Sequence, residues 1–380
     1  MDRRASRRPR ARKDRGRSRV GERFEAVVGP VAHGGHCIVR LPEPESRVFF
    51  TRHTLPGERV IVEITEGSDG DRFWRGDAIS VLEAVADRVA APCPVSGPGL
   101  CGGCDFQHVS LAAQRALKGS VVAEQLRRLA GLDVDVEVEA VPGDDEGLRW
   151  RTRMQWATTT DGQRGLRAHR SHRVVPVDDC LIAQLSSRAP TPGPVVIETV
   201  LGHSFMVEPD GFWQVHPGAP SVLVSTVLSM LDPQPGESVL DLYAGVGLFA
   251  RFLADHVGPG SRLVAIEGDR AAVQHAQENL ATHIGAVVEC GSVEEVLAAA
   301  YDETFDLVVL DPPREGAKRK VVDMVVVRSP RAVAYVACDP AALARDVAIF
   351  AEHGYRLESI RAFDLFPMTH HVECVALLTR

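Results

Sequence analysis

The chain has 380 residues, 45% hydrophobic and 25% charged, with 43 basic and 51 acidic side chains and a formal net charge of −8. That length predicts two or three domains with a full core, and the composition is ordinary for a soluble globular protein. No apolar run reaches membrane-spanning length and no signal-peptide core follows the basic N-terminus, so a cytoplasmic location with no membrane attachment is expected.

Residues 1–19 carry ten Arg/Lys and two Asp/Glu, which leaves a net of −16 on the rest of the chain. Residues 1–20 are therefore expected to form a disordered basic tail. The same charge suits a non-specific hold on polyanionic RNA through counterion release, and charge alone does not choose between a solvated tail and an RNA-binding one. Residues 21–86 alternate apolar and polar side chains in short runs (FEAVVGPV, HCIVRL, RVFFTRH, ERVIVEIT, FWRGDAISVLEAV) broken by Gly and Pro. This pattern predicts a small antiparallel β-barrel.

Residues 87–231 form a central block with a cysteine cluster, one helix (LAAQRALKGSVVAEQLRRLAG) and strand-like pieces rich in arginine. Trp150, Arg151, Arg153, Trp156, Arg164, Arg167, Arg170 and Arg173 fall close together. Such interleaving suits phosphate contacts and base stacking, although a solvated sheet face with core tryptophans has the same look. The chain holds eight cysteines. In a chain of this size and expected location, they point to metal ligation or catalysis before a disulfide framework. Cys93, Cys101 and Cys104 cluster, and Cys180 is a remote fourth thiol. Zinc is the default for four thiolates, while three clustered ligands and one distant one, with Pro94 after the first, equally fit an iron–sulfur site.

From residue 232 to 380, apolar strands alternate with amphipathic helices, predicting an α/β doubly wound, mostly parallel sheet whose last strand runs antiparallel. Gly245 and Gly247 in Asp241-Leu242-Tyr243-Ala244-Gly245-Val246-Gly247 sit where the first strand becomes a helix, a place for a nucleotide-like ligand. Glu267 ends the second strand, where a carboxylate can accept both hydroxyls of a ribose. Asp311 ends the fourth, ahead of Pro312-Pro313. Ala250 at the third position of the loop leaves a dinucleotide possible. The position of Glu267 and the Asp-Pro-Pro ending favour S-adenosylmethionine instead. Cys338 closes the fifth strand, and Glu373 lies early in the last one. A thiol and a base converging on one sheet edge suit methylation of pyrimidine carbon 5: the thiolate adds to carbon 6, and a base later removes the carbon-5 proton. His370 and His371 are rivals for the second task.

These ordered motifs resemble the bacterial RNA 5-methyluridine methyltransferases, and the resemblance runs from about residue 21 to the C-terminus. It implies a class I methyltransferase domain at 232–380, a TRAM-type OB-like barrel at 21–86, and a central α+β domain with a four-Cys cluster between them. Phe212-Trp213-Gln214-Val215 resembles the family's Phe-x-Gln segment, which implies that Gln214 contacts the methyl donor. Asp241 to Gly247 resembles its glycine loop, with Tyr243, Gly245 and Gly247 at the cofactor and Glu267 and Asp311 as its carboxylates. Tyr335 to Pro340 resembles the nucleophile motif, with Cys338 as nucleophile, and Phe366 to Glu373 the base motif, with Glu373 as base. Cys93, Cys101, Cys104 and Cys180 are implied ligands of a 4Fe–4S cluster, with zinc the lesser candidate. The larger family members act on 23S ribosomal RNA, which is the favoured partner over transfer RNA.

Three positions depart from the family pattern: Asp339 for asparagine, Met368 for glutamine, and Leu248 for a polar residue. Competing functions are a cytosine-5 methyltransferase, an amino-methyltransferase (weakened by Arg314 after Asp-Pro-Pro), a non-catalytic RNA-binding or assembly factor, and an iron–sulfur redox enzyme.

Overall fold

The computed structural model describes residues 16–41, 47–144 and 146–380. The chain divides into two compact units, one ending at Arg88 and the other running from Val89 to Arg380. Most of the expected basic tail lies outside the described residues. Its last residues depart from the expectation: Ser18 bridges Ser68, and Arg19 donates its N–H to the Gly67 carbonyl at 3.0 Å. The Arg19 guanidinium also lies between Glu22 and Asp69, so these residues are held against the barrel.

The first unit is a closed barrel of β1 (Arg23–Ala32), β2 (His36–Arg40), β3 (Val48–Arg52), β4 (Arg59–Glu66) and β5 (Trp74–Glu83), in the order β1-β2-β3-β5-β4. Val39, Phe49, Val60 and Val62 fill its interior. The expected fully antiparallel barrel is corrected at one seam, because β3 and β5 pair in parallel. The reason is parity: a closed ring of five strands cannot alternate direction all the way round.

In the second unit, Ser110 caps α1 (Leu111–Gln125) by accepting the Ala113 N–H, and a short π-turn follows it. The arginine-rich stretch makes small two- and three-stranded sheets, including a parallel pairing of Arg151–Arg153 with Ala183–Arg188. α2 (Ala219–Leu231) then leads to the main sheet. Its strands in chain order are β6 (Val138–Glu139), β7 (Val239–Leu242), β8 (Leu263–Glu267), β9 (Ala286–Cys290), β10 (Leu307–Leu310), β11 (Ala332–Ala337), β12 (Arg356–Phe363) and β13 (Glu373–Thr379). They lie in the order β9-β8-β7-β10-β11-β13-β12-β6. The strands from β9 to β11 are parallel, and β13 runs antiparallel between β11 and β12, as the short connection predicts. β6 comes from the middle block and pairs with β12, so that block from residue 89 onward and residues 232–380 belong to one compact unit.

β7, β10 and β11 are buried at every residue. Helices α3 (Leu248–Val257), α4 (Arg270–Asn279), α5 (Val293–Ala299), α6 (Lys318–Val327) and α7 (Pro340–Glu352) accompany these strands. Burial on both faces is why the strands read as continuous apolar runs rather than as alternation. Each fully buried Leu or Val there is worth about 1.5–3 kcal/mol. Among the described residues no helix is long and apolar enough to cross a membrane.

Candidate active site and a four-thiol cavity

The strand order of the sheet reverses between β7 and β10, and a crevice opens there at the carboxyl ends of the strands. A cleft of about 1300 Å³ occupies it, lined among others by Gln214, Tyr243, Gly245, Glu267, Asp311, Cys338 and Glu373. Gly247, the remaining expected cofactor residue, does not line this cleft. It caps α3 in the left-handed region (φ 83°) and aims that helix.

The glycine loop is fixed from below. Asp241 is fully buried and accepts the Ala250 N–H from the first turn of α3 at 2.8 Å. Tyr243 (φ 65°) and Gly245 (φ 54°) turn the chain through left-handed backbone, and a Cβ at Gly245 would meet no atom within 4 Å. Glu267 is oriented by two amides, accepting the Gly245 N–H and the Asp269 N–H at 2.8 Å each. Its remaining lone pairs suit a vicinal diol. Gln214 is nearly buried beside Trp213, whose ring packs on Phe205, while Phe212 stands 71% exposed at the cleft. Burial raises Asp241 and Asp311 to about 7 each; Asp311 is pushed further by Glu267, and Asp241 is held back by its bond from Ala250.

The reactive end follows from one register. Ala337 pairs with Cys374 across the antiparallel β11–β13 pair, so the next positions outward are Cys338 and Glu373. Side chains directly opposite in such a pair have Cβ atoms about 4.5–5.5 Å apart. Cys338 stops the strand because the next two residues start a helix: Asp339 caps α7 by accepting the Ala342 N–H at 2.8 Å, and Pro340 occupies the first turn. The departure at Asp339 thus keeps a capping side chain.

Burial, then the charge of Glu373, pushes the Cys338 thiol up to about 12, and Arg314 opposes the shift. Burial and Asp311 hold Glu373 well above the usual carboxylate range, again against Arg314. His371 is driven down to about 3 by burial, His370 and Arg314, and its Nε2 lies 3.4 Å from the Arg314 guanidinium. Arg314 and Arg151 line the cleft although sequence reasoning assigned neither of them to it, and His371, named as a rival base, lines it as well. Arg314 had a signal, its place directly after Asp-Pro-Pro; Arg151 was one of many arginines.

A second cavity of about 640 Å³ is lined by Cys93, Cys101, Cys104 and Cys180 together. Its loop is pinned to the arginine-rich sheet, since the Gly102 N–H donates to the Arg167 carbonyl at 3.1 Å. A Cβ at Gly102 would meet the His169 backbone at 2.6 Å, so only glycine permits that approach. The Gly103 N–H reaches Cys101 Sγ at 3.4 Å and the Gln107 amide reaches Cys104 Sγ at 3.5 Å. Arg149 holds Asp179 and the Cys180 carbonyl, fixing the remote thiol. Among the described residues no group of three or more His, Cys, Asp or Glu has the arrangement that holds a metal ion.

Three family models match the chain: a TRAM domain at residues 17–78, a methyltransferase small domain at 221–334, and tRNA (Uracil-5-)-methyltransferase at 298–380. The barrel is accordingly a TRAM domain and the sheet a methyltransferase fold. An uncharacterized RNA methyltransferase of Streptomyces avermitilis is 44% identical over 94% of this chain and 98% of its own length. A 23S rRNA (uracil(1939)-C(5))-methyltransferase, RlmD, of Acinetobacter baylyi is 27% identical over 94% of this chain and 95% of its own. The crystal structure of Pyrococcus abyssi tRNA (uracil-54, C5)-methyltransferase with S-adenosyl-L-homocysteine shares the fold, with a TM-score of 0.70 and 22% identity over 93% of this chain and 99% of that one.

Proposed function

The chain belongs to the RNA methyltransferase family, and from that membership we propose that it forms 5-methyluridine in 23S ribosomal RNA, with Cys338 as nucleophile and Glu373 as base. It is an S-adenosylmethionine-dependent enzyme of the RNA uracil-5 type. The single observation that carries the assignment of roles is the register that sets Cys338 opposite Glu373 in the cleft beside Asp311. Support for ribosomal RNA comes from the RlmD relative, which aligns along nearly the whole chain.

In this reading the donor's ribose takes Glu267, with Gln214, Tyr243, Gly245 and Asp311 around it and Gly247 shaping the loop. Bound S-adenosylmethionine supplies an electrophilic methyl group. A uridine flipped out of its stack enters between the donor and Cys338. The thiolate adds to carbon 6 and makes carbon 5 nucleophilic; carbon 5 takes the methyl group; Glu373 removes the carbon-5 proton; and the sulfur–carbon bond breaks.

The electrostatics favour Glu373 over the neighbouring histidines. A carboxylate raised by burial is a stronger base once ionised, whereas an imidazole held near 3 accepts a proton poorly. His370 is turned to Asp105, with Nδ1 2.6 Å from its carboxylate. Arg314, which opposes the upward shifts of both Cys338 and Glu373, stabilises the thiolate.

The same reading assigns a 4Fe–4S cluster to Cys93, Cys101, Cys104 and Cys180. The four thiols line one cavity, and amide donors at Cys101 and Cys104 suit thiolate ligands. The cluster's role is to hold loops together, since nothing in the methyl transfer needs an electron.

The test is covalent trapping with RNA containing 5-fluorouridine and S-adenosylmethionine, in wild type and Cys338→Ala. Fluorine at carbon 5 cannot leave as a proton, so wild type should stall as a denaturant-stable complex and the variant should not. Methyl transfer without a trapped complex would replace this reading with an amino-methyltransferase. An absence of any transfer to ribosomal or transfer RNA would leave an RNA-binding factor.

A further inference from the structure

The segment that delivers Glu373 to the cleft, residues 364–372, has no regular structure and turns through Met368 in the left-handed region (φ 66°). A long unbranched side chain is uncommon there, so surrounding groups must impose the turn. They do so from one direction. Gln114, fully buried on α1, accepts the Met368 N–H on Oε1 at 2.8 Å. Its amide nitrogen donates to the carbonyls of Phe106 at 3.1 Å and Val109 at 2.9 Å, and lies 3.3 Å from Met368 Sδ.

The Met368 carbonyl in turn accepts the N–H groups of Asp105 and Phe106, at 2.9 Å each. The Asp105 carboxylate takes the His370 N–H at 3.2 Å and lies 2.6 Å from its Nδ1. Lys118, further along α1 and fully buried, holds Asp364 at 2.5 Å and the Phe366 carbonyl at 3.1 Å. The loop is thus tied before, at and after its apex to residues 105–118. Phe366, His371 and Glu373 line the cleft, and neither Gln114 nor Asp105 does. Asp105 directly follows Cys104, so the thiol loop and the base loop share an anchor.

We propose that Gln114 and Asp105 are positioning residues for the proton-removal step: by clamping the turn at Met368 they set where Glu373 meets the carbon-5 proton. This rests on the assignment of Glu373 as base. They act through the loop, and neither lines the cleft. Methyl transfer and thiol addition depend on β11, the glycine loop and Arg314, none of which Gln114 or Asp105 bonds, although Arg314 meets the loop at His371, 3.4 Å away. The clamp's loss should therefore fall mainly on the last step. A displacement near 1 Å at a reacting group costs on the order of 10²-fold.

The experiment uses full-length Gln114→Met, Asp105→Ala and Asp105→Asn. With ordinary uridine RNA, Gln114→Met and Asp105→Ala should lower kcat about 10- to 100-fold and accumulate a denaturant-stable protein–RNA adduct that is already methylated. Their affinity for S-adenosylmethionine and their rate of trapping on 5-fluorouridine RNA should match wild type. Asp105→Asn, which keeps an acceptor for the His370 N–H, should recover most of the turnover.

Wild-type kcat in both impaired variants would overturn the proposal. So would a parallel fall in turnover, trapping and donor affinity, which marks a merely structural role. If Gln114→Met does not fold, the Asp105 pair decides alone. Failure of the wild type to trap at all would instead remove the Cys338 adduct, and with it the proton-removal step on which the proposal rests.

Discussion

The second unit contains two cavities built in opposite ways. The cleft is assembled from strand ends: β7, β8, β10 and β11 stop at one edge and β13 starts there, so Asp311 and Cys338 are placed at the ends of sheet strands, and Glu373 by the ladder together with the clamped loop that leads into it. The four-thiol cavity is assembled from loops. Cys93, Cys101 and Cys104 lie in a segment with little regular structure, and Cys180 arrives from a turn far along the chain. Arg151 lines both cavities. A ladder position costs no extra ordering once the core has formed. A loop position must be bound by its contents or by side chains such as Arg149, because fixing each residue costs about 1–2 kcal/mol of backbone entropy. On the proposed reading, the difference separates a site ready for chemistry from one that a bound group would complete.

The sharpest way to break this comparison is at the ladder. Glu373→Gln should lower turnover by about 10²–10⁴-fold while the methylated covalent adduct accumulates on uridine RNA. Normal turnover in that variant, read by methyl transfer, would show that the ladder pair is not the reacting pair.

Next comes the loop cavity. Cys104→Ser should lower the iron content per chain and the thermal midpoint, by about 5 °C or more, because a structural metal group contributes its binding energy to folding. S-adenosylmethionine affinity, set by the cleft, should change little. Zinc in place of iron in metal analysis of the wild type would correct the identity of the group without changing the geometry. A fall in donor affinity as large as that of a cleft variant would erase the distinction between the two cavities.

The smallest expected effect concerns pH. Asp241 and Asp311 are raised from the ordinary carboxylate range to about 7 in the folded protein. A carboxyl raised on folding favours the folded state below its unfolded value and loses that contribution as pH rises through its folded value. Stability of the donor-free protein should therefore decline between about pH 4 and pH 7, and level off above that. Melting curves across this range check it, and Asp241→Asn should flatten the profile. A profile rising over the same window would reverse the sign assigned to these two groups.

Much of this architecture was legible without coordinates, for identifiable reasons. The sheet's strands are apolar throughout because both faces are covered, and its helices announce their starts: Asp269, Ser292 and Asp339 all cap. Glu267, Asp311 and Cys338 were readable because each ends a strand or directly follows its end, and Gly245 because it lies in the glycine-rich turn between a strand and a helix. The single parallel seam of the barrel was not readable, since alternation along a strand says nothing about which neighbour closes the ring. Arg314 and His371 were visible as residues but not as partners, because their 3.4 Å approach joins segments 57 positions apart.

By itself, then, the sequence determined the order of elements, the type of sheet, and the strand-end residues available for chemistry, all of which depend on local pattern and on which side chains can be buried. Only the tertiary structure decided the register that brings Cys338 and Glu373 next to the last paired residues Ala337 and Cys374, that the remote Cys180 shares one cavity with the three clustered thiols, and that Gln114 grips Met368 across 254 positions. Those are matters of register and of packing between segments, and neither leaves a periodic trace along the chain.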